Sequence, residues 1–343
     1  MNLATRTMMG AASAALLVTP ILAQERQRLP RDCRQEIVKL CGTDRGEMRS
    51  CLRDKRAQLS DTCSAALIER FRDRRDDSVT ANRSGTRGEE FAYGTEPLQK
   101  ADFWRAANDR APLVLFVHGG GWKRGDKRMM QGSAKLSHWQ SQGYAVASVN
   151  YRLVPDATVE QQAADVAASI AWFRENAARL GIDPGKIVIA GHSAGAHLVS
   201  LVGTDPSYLA AAGLRPDAIR GVVALDGAGY LVSDQKGENT RLLGDTYIQA
   251  FGTDPQRQDA LSPTLHAAAP NAPAFLILHV DRADSTRQSK ALAEALRSAG
   301  TSASVERVAG QGMRGHMEIN RKLGEPGYPA TALVDDFLRS VLN

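Results

Sequence analysis

Lys186–Val202 reads KIVIAGHSAGAHLVSLV. Its first part, KIVIA, is a short apolar run rich in β-branched residues, the signature of a buried strand. Its last part, AHLVSLV, opens an apolar helix. Between them, Gly191-His192-Ser193-Ala194-Gly195 forms a G-x-S-x-G turn. Glycines are needed there because side chains would clash in so sharp a reversal. Such a turn lifts the serine hydroxyl to the top of a sheet. The N-terminus of the following helix then favours developing negative charge. A glycine-rich loop is the plain alternative, but the strand–turn–helix setting marks Ser193 as a nucleophile.

Further apolar runs flank this stretch at Leu113–Val117, Ala145–Val149, Val222–Leu225 and Phe275–Val280. Helical patterns lie between them, such as Gln162–Leu180, opened by VEQQAADVAAS. Strands alternating with helices from Phe91 onward predict the α/β class: a mostly parallel sheet with helices on both faces. Directly after the strand LVLFV comes His118-Gly119-Gly120-Gly121-Trp122. An acyl-transfer site must stabilise an oxyanion, and backbone N–H groups do this where no side chain blocks approach. Gly120, Gly121 and Ala194, the residue after the nucleophile, are the expected donors. His118 is read as shaping this loop, and Trp122 as packing on it or lining an acyl pocket.

The two motifs in this order resemble the α/β-hydrolase superfamily. The resemblance is nearest to the HGGG-bearing carboxylesterases of the feruloyl-esterase-like group, with arylformamidases nearby. It covers about residues 91–343 and includes Gly125-Asp126-Lys127, Asn150-Tyr151-Arg152-Leu153, Asp165, Gly191–Leu198 and Leu225-Asp226-Gly227-Ala228-Gly229-Tyr230. It implies a triad in chain order Ser, Asp or Glu, then His. Of His266, His279 and His316, only His316 follows the strand FLILHV, in GQGMRGHMEIN, read as a glycine-rich loop before a helical tail. It is the expected base. His279, inside that strand, reads as a core histidine. The acid is expected in the loop after FLILHV, where Asp281 and Asp284 both lie. Asp284-Ser285 followed by Gln288-Ser289 matches the arylformamidase-like pattern better, with a shortened loop, so Asp284 is preferred. Asp226 is a further, more remote candidate for the acid; its plain reading is that it pins the loop after its own strand. The implied activity is hydrolysis of small or aromatic carboxylic esters through an acyl-enzyme. The alternatives are amide or formamide hydrolysis on the same triad, and a non-catalytic hydrolase-fold binding protein.

The chain has 343 residues, of which 43% are hydrophobic, enough for a large core. Its net charge of +5 is spread among acidic residues, with no basic stripe, which argues against nucleic-acid binding. No G-x-G-x-x-G follows the first strand, and Cys and His are too scattered for a metal site, so no cofactor or metal is expected. Arg6 followed by the apolar Met8–Leu22 reads as a signal peptide over residues 1–23, and hence as a periplasmic or secreted protein. All four cysteines, Cys33, Cys41, Cys51 and Cys63, fall in a helical segment over residues 24–74. Two disulfides are expected there, with three pairings open. A structural role, or docking to a surface or protein partner, suits this segment. Residues 75–90 read as a polar linker. Asp165, Arg152, Trp172 and Phe173 are expected to be structural.

Overall fold

A computed structural model describes residues 30–42, 51, 55, 58–60, 62–64, 87–236, 244–268 and 270–342. The expected signal, linker residues 75–86 and parts of the expected helical segment over residues 24–74 lie outside them. The chain divides into two compact units, Met1–Arg83 and Ser84–Asn343.

In the first unit, helix α1 (Arg31–Cys41) buries Cys33 and Ile37, one turn apart, against Leu59 and Cys63. So small a cluster cannot hold a fold alone. Disulfides Cys33–Cys63 and Cys41–Cys51 staple it, which selects one of the three pairings. Each such link typically contributes about 2–4 kcal/mol. Glu36 adds a tie, accepting from Ser60 N at 2.5 Å and Ser60 Oγ at 2.7 Å.

The second unit is built on a sheet of eight strands among the described residues. They are β1 (Glu89–Ala92), β2 (Lys100–Trp104), β3 (Ala111–Val117), β4 (Ala145–Val149), β5 (Ile182–His192), β6 (Gly221–Leu225), β7 (Ala274–Asp281) and β8 (Ser302–Gln311). The spatial order is β1-β2-β4-β3-β5-β6-β7-β8, with β1 and β2 antiparallel and the rest parallel. All five apolar runs read from sequence are strands. β1 begins at Glu89, so the last two linker residues belong to the sheet.

Alternation along the strands makes two cores. Leu113, Leu115, Ile187, Ile189, Val222 and Ile277 face one side, under helices α3 (Val159–Glu175), α4 (Ala194–Thr204) and α6 (Ala283–Ser298). Val114, Phe116, Val188, Val223, Leu276 and Leu278 face the other. That side is covered by α2 (Ala134–Ser141), α7 (Gly312–Lys322) and α8 (Pro329–Leu342). Helix α3 starts three residues before the expected Gln162, because Thr158 and Gln161 form a capping box at its first turn.

The order reverses between β3 and β5, and at such a switch point a crevice opens at the carboxyl ends of the strands. Several stretches that carry the resemblance brace this frame. Arg152 forms a fork on Asp165, with Nη2 to Oδ1 at 2.7 Å and Nε to Oδ2 at 2.9 Å. Lys127 Nζ bonds Glu90 and Asp102. Asp165 is 1% exposed, and removing one partner of a buried pair costs about 3–5 kcal/mol. Asp165→Ala is therefore expected to lower the unfolding free energy by about 3 kcal/mol. Urea denaturation checks this; a loss within about 0.5 kcal/mol, as for an ordinary surface change, would remove the pair from the frame.

Candidate active site

Ser193 sits between β5 and α4 with φ 57° and ψ −119°. A non-glycine residue rarely adopts this backbone, and the strain is held by neighbours that leave no alternative. Ser193 N donates to Leu225 O at 3.0 Å, and His197 N donates to Ser193 O at 3.2 Å. A Cβ on Gly191 would lie 2.3 Å from Gly195 O, so the turn closes only with glycine at that position. The HGGG loop lies directly on it: a Cβ on Gly119 would be 2.8 Å from His192 O and 3.0 Å from Ser193 Cβ. Gly120, Gly121 and Trp122 all have positive φ, at 131°, 62° and 59°. Ala194 opens α4 directly after the serine.

His118 fills the loop's interior. It is buried, stacks on Tyr151 at 4.4 Å and donates from Nδ1 to Gly119 O at 2.8 Å. Burial holds its imidazole below the usual range, so it stays neutral. Trp122 donates from Nε1 to His197 Nδ1 at 3.3 Å and meets Phe251 edge-on at 4.7 Å. Helix α5 (Gly244–Phe251) supplies that Phe251 and also Tyr247, 5.5 Å from Trp122. Trp122 thus packs within a buried aromatic cluster beside the loop.

His316 stands in the second turn of α7, on a helix rather than in the expected loop. It is 5% exposed and packs against His192, the residue before Ser193, with ring centroids 4.5 Å apart. His192 donates from Nε2 to His316 O at 2.8 Å. Burial, then the neighbouring His316, pushes the His192 imidazole down to about 3, so it acts as a neutral strut. Sequence reasoning gave His192 no role, and only its place in G-x-S-x-G pointed to one.

The carboxylate on the His316 imidazole belongs to Asp226, at the end of β6: Nδ1 donates to Asp226 Oδ2 at 2.6 Å. Asp226 is fully buried with φ 42°. Its N donates to Leu278 O at 2.7 Å. Its Oδ1 accepts from Val280 N at 3.0 Å and Ser285 Oγ at 2.6 Å, and its Oδ2 also accepts from Arg282 at 2.8 Å. Burial alone would raise this carboxyl; the His316 hydrogen bond and the Arg282 charge outweigh it and hold it down to about 2. The group is an anion throughout the physiological range.

Asp284, the acid expected from sequence, is placed differently. The connection from β7 to α6 is the single residue Arg282, so Asp284 already lies in the first turn of the helix. Its Oδ2 accepts from Arg282 Nη2 at 3.1 Å. Asp281 pairs with Arg307 at 2.5 Å on the surface. Asp226 does pin its loop, as expected, but the same carboxylate also takes the histidine. His279 is a buried strand residue, within 3.1 Å of Val280 O and of Thr286 Oγ1, and His266 reaches Ala260 O at 2.9 Å.

Comparison with known proteins bears on the fold and the family. Residues 103–296 match the BD-FAE family model. Esterase LipC of Mycobacterium tuberculosis is 32% identical over 201 residues, 55% of this chain and 49% of its own length. Esterase LipQ of the same organism is 33% identical over 214 residues, 58% of this chain and 50% of its own. The chain thus spans about half the length of the curated relatives it matches. Among solved structures, esterase B from Lactobacillus rhamnosis superposes with a TM-score of 0.62 at 21% identity, covering 80% of this chain and 92% of that one. Esterase 2 from Thermogutta terrifontis gives 0.57 at 23%, covering 75% and 95%. With an α/β-hydrolase fold and a family match over more than half its length, the chain belongs to the BD-FAE family.

Proposed function

We propose that this protein is a serine hydrolase of carboxylic esters, with Ser193 as nucleophile, His316 as base and Asp226 as the acid that orients it. The observation that carries the reading is the buried Asp226–His316 hydrogen bond of 2.6 Å, packed against the strained Ser193 turn. Asp226 holds the proton on Nδ1 and leaves Nε2 as the base, then stabilises the imidazolium that forms. Ser193 Oγ attacks the ester carbonyl as Nε2 takes its proton. The N–H groups of Gly120, Gly121 and Ala194 receive the oxyanion. Collapse of the tetrahedral intermediate expels the alcohol, protonated by His316, and water resolves the acyl-enzyme by the same route. The relatives named as esterases support this activity.

The wall formed by Trp122, Tyr247 and Phe251 beside the HGGG loop supports small or aromatic acyl groups. The disulfides support an exported protein, periplasmic or secreted, since such bonds persist in oxidising compartments. Among the described residues no helix is long and apolar enough to cross a membrane. A chain-length series of p-nitrophenyl esters with a methyl ferulate arm tests the substrate class. Turnover is expected to be greatest for short or aromatic acyl groups. Turnover confined to amides or formamides would overturn the ester reading, and none with any of these substrates would point to a binding protein.

A further inference from the structure

Two charged residues beside the site have no part in the steps above. Arg282 is the sole link between β7 and α6, and its side chain is 9% exposed. Its Nη1 lies 2.8 Å from Asp226 Oδ2 and 2.7 Å from His316 Nδ1, while Nη2 meets Asp284 Oδ2 at 3.1 Å. Nδ1 is itself 2.6 Å from Asp226 Oδ2, so it faces an acceptor and a donor at once. A guanidinium nitrogen can only donate. Nδ1 either carries a proton and donates to Asp226, or is bare and accepts from Arg282. The first state leaves Nε2 free to act as base; the second puts the proton on Nε2 and idles the ring. A fixed cation at this distance also opposes a second proton on the ring. Asp284 answers that charge from the far side of the guanidinium. When His316 becomes an imidazolium, the four groups together carry two positive and two negative charges.

We propose that Arg282 is a positioning residue that sets which nitrogen of His316 holds the proton and how readily the ring takes another, with Asp284 as its counter-charge. This rests on the triad read above. The guanidinium is engaged by two carboxylates of the protein, so it is not a receptor for a substrate carboxylate.

His192 packs directly on His316, and other charged or titratable groups lie on its own helix and on neighbouring elements. From β5, His192 is neutral and bonded to the His316 carbonyl. From α2, Lys135 reaches Asn320 O at 2.8 Å, and burial pushes its amine down to about 8. Tyr247 of α5 and Tyr328, before α8, are phenols that burial keeps neutral. On α7 itself Arg314 pairs with Glu318, and beside it the surface pair Asp281–Arg307 joins β7 to β8. The contacts at Nδ1 itself are those of Asp226 and Arg282.

The test is the pH dependence of kcat/KM for p-nitrophenyl acetate in the full chain. Removing the cation in Arg282→Met favours the imidazolium, so the midpoint of the acidic limb is expected to rise by about one pH unit. Removing the anion in Asp284→Asn does the reverse, and the midpoint is expected to fall by about half a unit or more. Arg282→Lys keeps the charge and should restore a midpoint close to wild type. Midpoints of Arg282→Met and Asp284→Asn that stay fixed, or move in the same direction, would overturn the proposal even if both variants are slow. Should Arg282→Met fail to fold, the Asp284→Asn shift together with the Arg282→Lys midpoint decides it. A loss of about 10⁴ in kcat for Asp284→Asn with Asp226→Asn near wild type would sink the triad reading itself, and this proposal with it.

Discussion

Ser193→Ala is expected to lower kcat on p-nitrophenyl esters by about 10⁶, with the fold intact. The serine oxygen is the only atom lost, and the strained backbone that presents it is held by its own hydrogen bonds to Leu225 and His197. The residual rate should be that of the oxyanion loop and binding alone, since groups that act as a unit fail together. Steady-state kinetics with a matched circular dichroism melt checks both halves. Hydrolysis at near wild-type rate would place the chemistry elsewhere.

Asp226→Asn is expected to lower kcat by about 10⁴ while leaving the Trp122–Tyr247–Phe251 cluster in place. An amide at this position can donate to His316 Nδ1 and so fix the proton on Nε2, the wrong nitrogen for a base. It also withdraws the negative charge that stabilises the imidazolium. Because the carboxylate takes Val280 N, Ser285 Oγ and Arg282 as well, some stability should be lost with it. The comparison with Asp284→Asn separates the two effects. If Asp226 is the acid, Asp284→Asn keeps most of its turnover at its own pH optimum. If the larger loss falls on Asp284→Asn, the acid has been assigned to the wrong strand end.

Much of the fold was legible because its central strands are buried on both faces and read as unbroken apolar runs, as in Val222–Leu225 and Phe275–Val280. The outer strands carry no such signal. β8 is largely exposed along SASVERVAGQ, and β1 opens with two glutamates. Ser193 and the HGGG loop were equally legible, since each depends on a local turn that only particular residues permit. His316 followed from its place after the last apolar strand, although its helix did not. The carboxylate on His316 was the hard residue. β6 and β7 are neighbours in the sheet, so either strand end is a candidate source of the carboxylate on the imidazole. Chain order cannot choose between them. The choice turns on the one-residue connection at Arg282, which carries Asp284 into a helix, and on the fixed turn that holds Asp226 against Val280 and Ser285.

The most direct measurement is covalent labelling with a p-nitrophenyl alkylphosphonate, followed by mass spectrometry of the peptides. The account predicts one equivalent of p-nitrophenol released per chain, complete loss of esterase activity, and a single phosphonyl adduct on Ser193 that is absent in Ser193→Ala. Full esterase activity after exposure to the reagent, or an adduct on a different residue that tracks the loss of activity, would contradict it.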